Sequence, residues 1–121
     1  MYILGINAYH ADASAAIIFN GKLIAAVEEE RFTRIKHTAG FPSNAVRYCL
    51  QQAGINIQDV SYVAIPRKRS AQLFRKLFWA IKTPGFAMRR ANVWQKFSSV
   101  RDELAIACGV SKDEIKAEFH F

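Results

Sequence analysis

Three apolar runs with short polar breaks between them open the chain. Residues 2–7, 15–19 and 22–27 are apolar at most positions, and the dipeptide Asn20-Gly21 separates the second run from the third. Apolar runs of this length predict strands buried in a sheet. Asn-Gly is the strongest short-range signal for a hairpin, because both residues tolerate positive φ. The pattern therefore predicts a strand, a polar loop and then a hairpin.

The first strand is predicted to lie at the centre of the sheet. Residues 2–8 are apolar at almost every position, which suits a strand that is covered on both faces. Gly5 has no side chain to pack, so we expect another backbone segment or a ligand to approach it closely. Simple close packing is the favoured interpretation of this glycine.

A helical period replaces the strand pattern after Pro42. Ser43 is the predicted N-cap, and Gly54 is the predicted stop. Residues 62–65 then predict a fourth strand, so the element order indicates a mixed α/β fold with a crossover helix on one sheet face. The apolar stripe of the helix repeats at i, i+3, i+4 and i+7 and consists of Val46, Cys49, Leu50 and Ala53.

The rest of the chain is predicted to be a basic helical insertion over residues 67–110, followed by a final strand within residues 111–121. The Ser-x-x-Asp of residues 99–102 has capping-box spacing for a helix that ends near Gly109. The Ser-x-x-Glu of residues 111–114 matches the capping-box pattern better than the Ser-x-x-Asp does. Together with an α/β core over residues 1–66, these segments form one incomplete domain.

Composition narrows the class of protein. With 121 residues, 51% of them hydrophobic, the chain can bury the core of one small domain. It contains no apolar run of 18 residues and no secretion signal at its start, so we expect a cytoplasmic protein. Cys49 and Cys108 have no second cysteine or histidine at metal-ligand spacing, and we expect both to be reduced, buried and hydrophobic in character.

The net charge of +7 belongs to one segment. Ten of the 17 basic residues lie within residues 67–101, which contain no acid, so the remainder carries seven basic and ten acidic residues. Basic residues interleaved with Phe and Trp are compatible with a module that binds nucleic acid or a membrane. We favour helices that dock on the rest of a larger enzyme, with no nucleic-acid or membrane partner. Such helices, left exposed, would let the chain self-associate.

Two polar stretches are candidates for chemistry. In the loop of residues 10–14, small residues let backbone N–H groups form an anion-binding concavity, although an ordinary polar turn has the same composition. The run of acidic and then basic residues at 28–37 has a solvated charged surface as its simpler explanation. Strand alternation would place Glu28 and Glu30 on one face and Glu29 on the other.

Several motifs in register over residues 1–54 resemble the amino terminus of the carbamoyltransferase family. They are an initial Ile-Leu-Gly-Ile strand, HADASAA, NGKL, AAVEEERFTRIKH and a Phe-Pro that precedes a helix. From residue 62 onward the resemblance rests on order and spacing. It implies a partial actin/sugar-kinase-like (ribonuclease H-like) domain, in a family that modifies nodulation factors and antibiotics.

The resemblance also implies roles for seven residues. In the HADAS loop, His10 would act in general acid/base chemistry or polarise a carbonyl, and Lys36 would contact a transferring phosphoryl or carbamoyl oxygen. Many relatives place Asp directly after His, whereas Ala11 intervenes here, so which side chain points inward stays open. The implied catalytic residues are His10, Asp12 and Lys36, and the implied cofactor-binding residues are Ser14, Glu30, Arg31 and His37.

The implied activity is ATP-dependent transfer of a carbamoyl group from carbamoyl phosphate, through a carbamoyl-adenylate, to a hydroxyl of a small metabolite. Family members follow the last strand with a metal-binding His-His-x-x-His-Ala motif, which does not occur before Phe121. We therefore expect an inactive amino-terminal piece of a longer enzyme that uses ATP and a divalent metal. Neither the nucleotide site nor the metal site should be complete in this piece. It should contain no metal ligand, and His120 is not counted as one. The alternatives are another actin-like-fold kinase, a tRNA threonylcarbamoylation-type enzyme, or the basic binding module.

Overall fold

The computed structural model describes residues 1–9, 12–66, 81–82 and 100–121. Within these residues the strands are β1 (Tyr2–Asn7), β2 (Ser14–Phe19), β3 (Lys22–Glu28), β4 (Val60–Ala64) and β5 (Glu118–His120), and the helices are α1 (Glu30–Thr33), α2 (Ser43–Ala53) and α3 (Val100–Cys108). The strands form one sheet in the order β3-β2-β1-β4-β5. The pairs β1/β2 and β2/β3 are antiparallel, while β1/β4 and β4/β5 are parallel. The predicted mixed α/β class, with the first strand at the centre, is confirmed.

The hairpin between β2 and β3 turns where the sequence predicts it. Asn20 has a φ of 46° and Gly21 a φ of 81°, the positive values that a two-residue hairpin turn requires. The rings of Tyr2 and Phe19 lie 4.4 Å apart on the neighbouring strand pair. Local turn chemistry therefore accounts for the pairing of β2 with β3 at the hairpin.

The hydrophobic core lies on one face of the sheet, against α2 and α3. Leu4 and Ile6 of β1 are at most 1% exposed, and Leu104 places α3 in the same cluster. Helix α3 falls within the predicted basic insertion, yet it packs into the core of the sheet. The predicted stripe of α2 faces this core: Val46, Cys49 and Leu50 are buried, and Ala53 is partly buried.

The opposite face of the sheet is more open. Its β1 residues Ile3, Gly5 and Asn7 are only half-buried, so the prediction of cover on both faces does not hold among the described residues. A Cβ atom at Gly5 would meet only the Ala16 carbonyl oxygen, at 3.8 Å, which is ordinary van der Waals contact. The close-packing interpretation of Gly5 is therefore wrong for the part of the chain that is described.

Capping boxes set the remaining element ends. Strand β4 begins at Val60, earlier than predicted, because Asn56 and Asp59 cap the 3₁₀ turn directly before it. The predicted box of Ser111 and Glu114 is confirmed, but it closes a 3₁₀ turn. The final strand, predicted within residues 111–121, therefore covers only Glu118–His120.

Two helix ends match the glycines predicted for them. Gly54 and Gly109 have φ values of 65° and 68° and follow the last residues of α2 and α3. The proposed box at Ser99 and most of the predicted basic insertion, residues 67–80 and 83–99, lie outside the described residues. Among the helices that are described, none has the length and apolar character needed to cross a membrane.

Candidate functional site

Two loops lie side by side where β1 ends and β2 begins. The first loop is residues 8–13 and the second is residues 34–41; we call them the paired loops. The Tyr9 N–H donates to the Gly40 carbonyl at 3.0 Å, and the Ala13 N–H donates to the Thr38 carbonyl at 3.2 Å. His10, the leading catalytic candidate, lies outside the described residues. The two stretches singled out for chemistry are thus neighbours in the fold.

Asp12 and His37 connect the paired loops through their side chains. Nδ1 of His37 lies 3.0 Å from Oδ1 of Asp12, and both side chains are more than half exposed. Because a carboxylate accepts but does not donate, the contact favours the tautomer with hydrogen on Nδ1. Asn7 steadies the first loop, since its Nδ2 donates to the Asp12 carbonyl at 3.1 Å. The free Nε2 of His37 is therefore presented to solvent in a fixed direction.

Backbone strain is concentrated in the paired loops. Tyr9, Asp12, Arg34 and His37 have φ values of 61°, 68°, 59° and 57°, in the left-handed region that disfavours residues other than glycine. The fifth such residue in the described part of the chain is Asn20 of the hairpin. Such conformations cost about 1–3 kcal/mol each and persist where the surrounding structure imposes them. Their clustering makes the paired loops a functional-site candidate.

The basic side chains beside the loops are available to an anion. Arg31, Arg34 and Lys36 are exposed, and none of them forms an ion pair with a carboxylate among the described residues. Glu30 and Arg31, neighbours in the chain, form no ion pair with each other in that part of the structure. All three cations lie within six residues of His37 along the chain, where they are available to an anionic ligand.

Glu29 is the charged residue that the sequence interpretation missed. It is 4% exposed, and its carboxylate accepts hydrogen bonds from the start of α2. The donors are the Asn44 N–H at 3.2 Å, Asn44 Nδ2 at 2.7 Å and the Ala45 N–H at 2.8 Å. Glu29 therefore supplies the cap of α2 from a distant part of the chain.

Two predictions are corrected by this arrangement. Ser43 is not the N-cap of α2, because the helix begins at Ser43, follows Pro42 and has no cap hydrogen bond from the preceding side chain. The alternation predicted for the three glutamates is wrong, because the strand ends at Glu28 and Glu29 has helical angles of φ −62° and ψ −30°. Glu30 is consequently the first residue of α1.

A cavity of about 980 Å³ opens beside the paired loops over the less covered sheet face. Small residues of the neighbouring strands line it, and the rings of Phe32 and Tyr48, 5.8 Å apart, stand at its edge. Two of the predicted cofactor-binding residues, Ser14 and Arg31, also line it. Its size is at the upper end of the range found for small-molecule sites.

Five of the seven predicted site residues lie in two adjoining regions, while His10 lies outside the described residues. Ser14 and Arg31 line the cavity, while Asp12, Lys36 and His37 belong to the paired loops. Glu30 is half-buried in α1, and its carbonyl accepts a hydrogen bond from the Arg34 N–H at 2.9 Å. Within the described ranges, no group of three His, Cys, Asp or Glu residues could hold a metal ion.

Resolved pKa shifts lie away from this site. Burial raises the pKa of the Cys49 thiol to about 11. Burial also raises the pKa of Cys108, and the charge of Arg47 partly opposes that rise. Hydrogen bonds from Ser111 and then Gln58 lower the pKa of Glu114. The described cysteines are both free, as predicted, and Cys108 is half-buried where full burial was expected.

Relatives of the chain match part of its length. The protein sll1178 of Synechocystis sp. strain PCC 6803 is 49% identical over 67 residues, which is 55% of this chain and 11% of that protein. Nodulation protein NolNO of Sinorhizobium fredii strain NGR234 is 41% identical over 58 residues, 48% of this chain and 8% of NolNO. Protein MJ1051 of Methanocaldococcus jannaschii is 38% identical over 63 residues, which is 52% of this chain and 12% of MJ1051. This chain spans about a tenth of the length of these relatives.

Similarity also extends to a solved structure and to a family profile. YeaZ from Pseudomonas aeruginosa aligns with 98% of this chain and 43% of its own, with a TM-score of 0.48 and 15% identity. The profile of the carbamoyltransferase N-terminus matches residues 2–110. Since that match covers most of the sequence, the chain belongs to the carbamoyltransferase family.

Proposed function

We propose that this chain is the part of an ATP-dependent carbamoyltransferase that binds carbamoyl phosphate at the paired loops. In the proposed reaction, water would cleave carbamoyl phosphate to carbamate and inorganic phosphate, and a carbamate oxygen would displace pyrophosphate from ATP to give an enzyme-bound carbamoyl-adenylate. A hydroxyl of a small metabolite would then attack the carbamoyl carbon, with AMP as the leaving group and loss of the hydroxyl proton. Membership of the family supports the transfer of a carbamoyl group, and the donor, the nucleotide and the intermediate are our proposal.

The observation that carries the proposal is the contact between Asp12 and His37. It joins the two sequence signatures of the family resemblance at 3.0 Å, beside three cations that have no described acidic partner. A phosphoryl oxygen bears negative charge, and a carbamoyl oxygen gains it in the transition state. Oriented cations and N–H groups stabilise that charge best where no reorganisation is needed. The strained loop backbone supports a site that is organised before its ligand binds.

The residues then have distinct roles. Asp12 orients the imidazole of His37, so that its other nitrogen faces an incoming ligand. Lys36 directly precedes His37 in the chain and places a compact point charge next to the same position. His10, which precedes the Asp12 turn, acts as the acid or base or polarises the carbonyl. The proposed contacts to the nucleotide come from Ser14, Glu30 and Arg31.

The described residues fit the proposed cofactors unequally. The cavity lined by Ser14 and Arg31, with two aromatic rings at its edge, has the size and the mixed lining that a nucleotide needs. When bound, ATP would supply the adenylyl group that activates the carbamoyl group. The described part of the chain holds no cluster of metal ligands, so it does not fit a divalent metal, and no step involves one.

The test uses the complete natural protein that contains this chain, assayed with ATP, carbamoyl phosphate and a hydroxyl acceptor. A general acid or base contributes about 10²-fold or more, so His10→Ala should lower kcat by that factor. Asn20→Gly is the control, because Asn20 lies in the turn between β2 and β3, at the opposite end of β2 from the paired loops. Its kcat should equal that of the wild type.

Stability is measured on both variants to exclude unfolding as the cause. A His10→Ala protein that keeps its fold should have a free energy of unfolding within about 0.5 kcal/mol of that of the wild type. A folded His10→Ala protein with wild-type kcat would remove His10 from the mechanism. An absence of carbamoyl transfer by the wild type would refute the proposed function itself.

A further inference from the structure

We infer that Glu29 is a positioning residue for the paired loops, holding Asp12 and His37 in register through three separate sets of hydrogen bonds. The part of this inference that concerns ligand affinity rests on the proposed function. The part that concerns loop geometry does not. Glu29 has no role in the family resemblance stated from the sequence, and it touches neither the cavity nor the Asp12–His37 contact.

The side chain of Glu29 is fixed to the start of α2. One carboxylate oxygen, Oε1, accepts from both nitrogens of Asn44, and the other, Oε2, accepts from the Ala45 N–H. A buried carboxylate needs such donors, since an unsatisfied one would be expensive to desolvate. These N–H groups also have no partner within the first turn of the helix. The carboxylate and the start of α2 therefore fix each other.

The main chain of Glu29 contacts the first of the paired loops and helix α1, which leads to the second. Its N–H donates to the Ala13 carbonyl at 2.8 Å, next to Asp12 in the first loop. Its carbonyl accepts from the N–H groups of Phe32 and Thr33 at 3.0 and 3.1 Å, which forms the turn of α1. The position of Glu29 therefore determines where the first loop ends and where α1, which leads to the second loop, begins.

Contacts between two threonines continue from α1 to Thr38, which follows His37 in the chain. The Oγ1 atoms of Thr33 and Thr38 lie 3.4 Å apart, and Thr38 Oγ1 donates to the Ile35 carbonyl at 2.8 Å. The Thr38 carbonyl accepts a hydrogen bond from the Ala13 N–H, so these contacts return to the first loop beside Asp12. A shift of the Glu29 backbone would thus be transmitted to both partners of the 3.0 Å contact.

A simple helix cap is the competing explanation, and the two make different predictions. A cap alone stabilises α2 and leaves the paired loops as they are once the protein is folded. A positioning residue alters the loops even in fully folded protein. The distinction can be made with Glu29→Gln, which keeps the size of the side chain but turns an N–H₂ group toward the N–H donors of α2.

The experiment compares Glu29→Gln with Glu114→Gln by NMR on the 121-residue chain. Glu114 is a matched control, because its carboxylate also accepts two hydrogen bonds, from the Ser111 N–H and Gln58 Nε2, but lies far along the chain at the last 3₁₀ turn. The first readout is the amide resonances of the paired loops without ligand. The second is the affinity for carbamoyl phosphate and for inorganic phosphate.

We expect Glu29→Gln to shift the amide resonances of Asp12, Ala13, His37 and Thr38 and to weaken the affinity for carbamoyl phosphate about tenfold, the effect of about one hydrogen bond to a charged group. Glu114→Gln should do neither. The inference is overturned if Glu29→Gln shifts only the start of α2 and leaves loop resonances and affinity as in the control. If the wild type binds neither ligand, the proposed function fails and the loop resonances still decide the role of Glu29.

A second variant decides the question if Glu29→Gln does not fold. Asn44→Ala removes the 2.7 Å donor from the helix side and keeps the two backbone donors. It should shift the same loop resonances by a smaller amount. Loop resonances identical to the wild type in folded Asn44→Ala would contradict a positioning role.

Discussion

Nδ1 of His37 lies 3.0 Å from Oδ1 of Asp12, although 25 residues separate them in the chain. Both residues have positive φ, so each holds a backbone conformation that most residues avoid. Exposed ion pairs stabilise proteins by at most about 1 kcal/mol, which does not offset strain at two residues. The contact therefore makes more sense as part of a binding site than as a stabilising feature of the fold.

Replacing His37 by glycine separates function from stability. His37→Gly relieves the strain of a φ near 57° but adds freedom to the unfolded chain, so we expect a change in unfolding free energy within about 1 kcal/mol. Affinity for carbamoyl phosphate should fall. Urea unfolding and calorimetric titration measure the two effects. Asn20→Gly, at a positive φ in the distant hairpin, is the control and should bind like the wild type; equal binding by His37→Gly would contradict the proposed site.

The cap of α2 can be identified by two alanine substitutions. Glu29→Ala removes a buried carboxylate that accepts three hydrogen bonds, and we expect a loss of about 2–3 kcal/mol in unfolding free energy. Ser43→Ala should change it by less than about 0.5 kcal/mol, because Ser43 is the first helical residue and makes no cap. Denaturant melts of both variants test this. A loss of unfolding free energy larger in Ser43→Ala than in Glu29→Ala would identify Ser43 as the cap of α2.

Features set by a few neighbouring residues could be predicted from the sequence. The Asn20-Gly21 turn, the buried stripe of α2, its end at Gly54 and the Ser111–Glu114 box all follow from spacings of one to seven residues. The central position of β1 followed from its apolar composition. In each case the determining residues are adjacent in the chain or on one face of one element, so the printed order contains the information.

Features set by distant residues could not be predicted. Glu29 caps a helix that begins some 15 residues later, and nothing in a run of three glutamates indicates which one is buried. Pro42 precedes the helix and cannot supply a side-chain cap. Its position was therefore a signal that a distant residue caps α2. The Asp12–His37 contact depends on how two loops meet, and only the family resemblance had placed both residues in one site.

The two cysteines should differ in their reaction with iodoacetamide. Cys49 is completely buried and Cys108 is half-buried, so Cys108 should be alkylated first at pH 8 in the native chain. Peptide mass mapping over time measures this, and both should react alike in urea. Preferential native labelling of Cys49 would show that its burial is wrong.

The raised pKa of Cys49 also predicts a dependence of stability on pH. Its thiol loses a proton near pH 9.0 when unfolded and only near pH 11 when folded. The native state thus holds the proton more tightly, so the contribution to stability is complete below pH 9 and is lost as the pH rises toward 11. Cys49→Ala should reduce this alkaline loss in urea melts; an unchanged pH profile would contradict it.

Gly5 should tolerate a methyl group. Its Cβ position has only the Ala16 carbonyl oxygen within reach, at 3.8 Å, and alanine costs less entropy than glycine in a strand. We expect Gly5→Ala to raise the unfolding free energy by about 0.5–1 kcal/mol. Ala15→Gly on the buried face of β2 is the opposite change and should lower it. A destabilised Gly5→Ala would mean that an additional group packs against this face of the sheet.

The binding of carbamoyl phosphate to the paired loops is tested by NMR titration of the 121-residue chain. Carbamoyl phosphate should shift the amides of Asp12, Ser14, Lys36 and His37 and the ring protons of His37, with saturation at one ligand per chain. Lys36→Ala should weaken that binding, while Lys112→Ala, which removes a cation far from the loops, should not. Shifts confined to other surfaces, or none at all with ligand in large excess over the chain, would contradict the proposal.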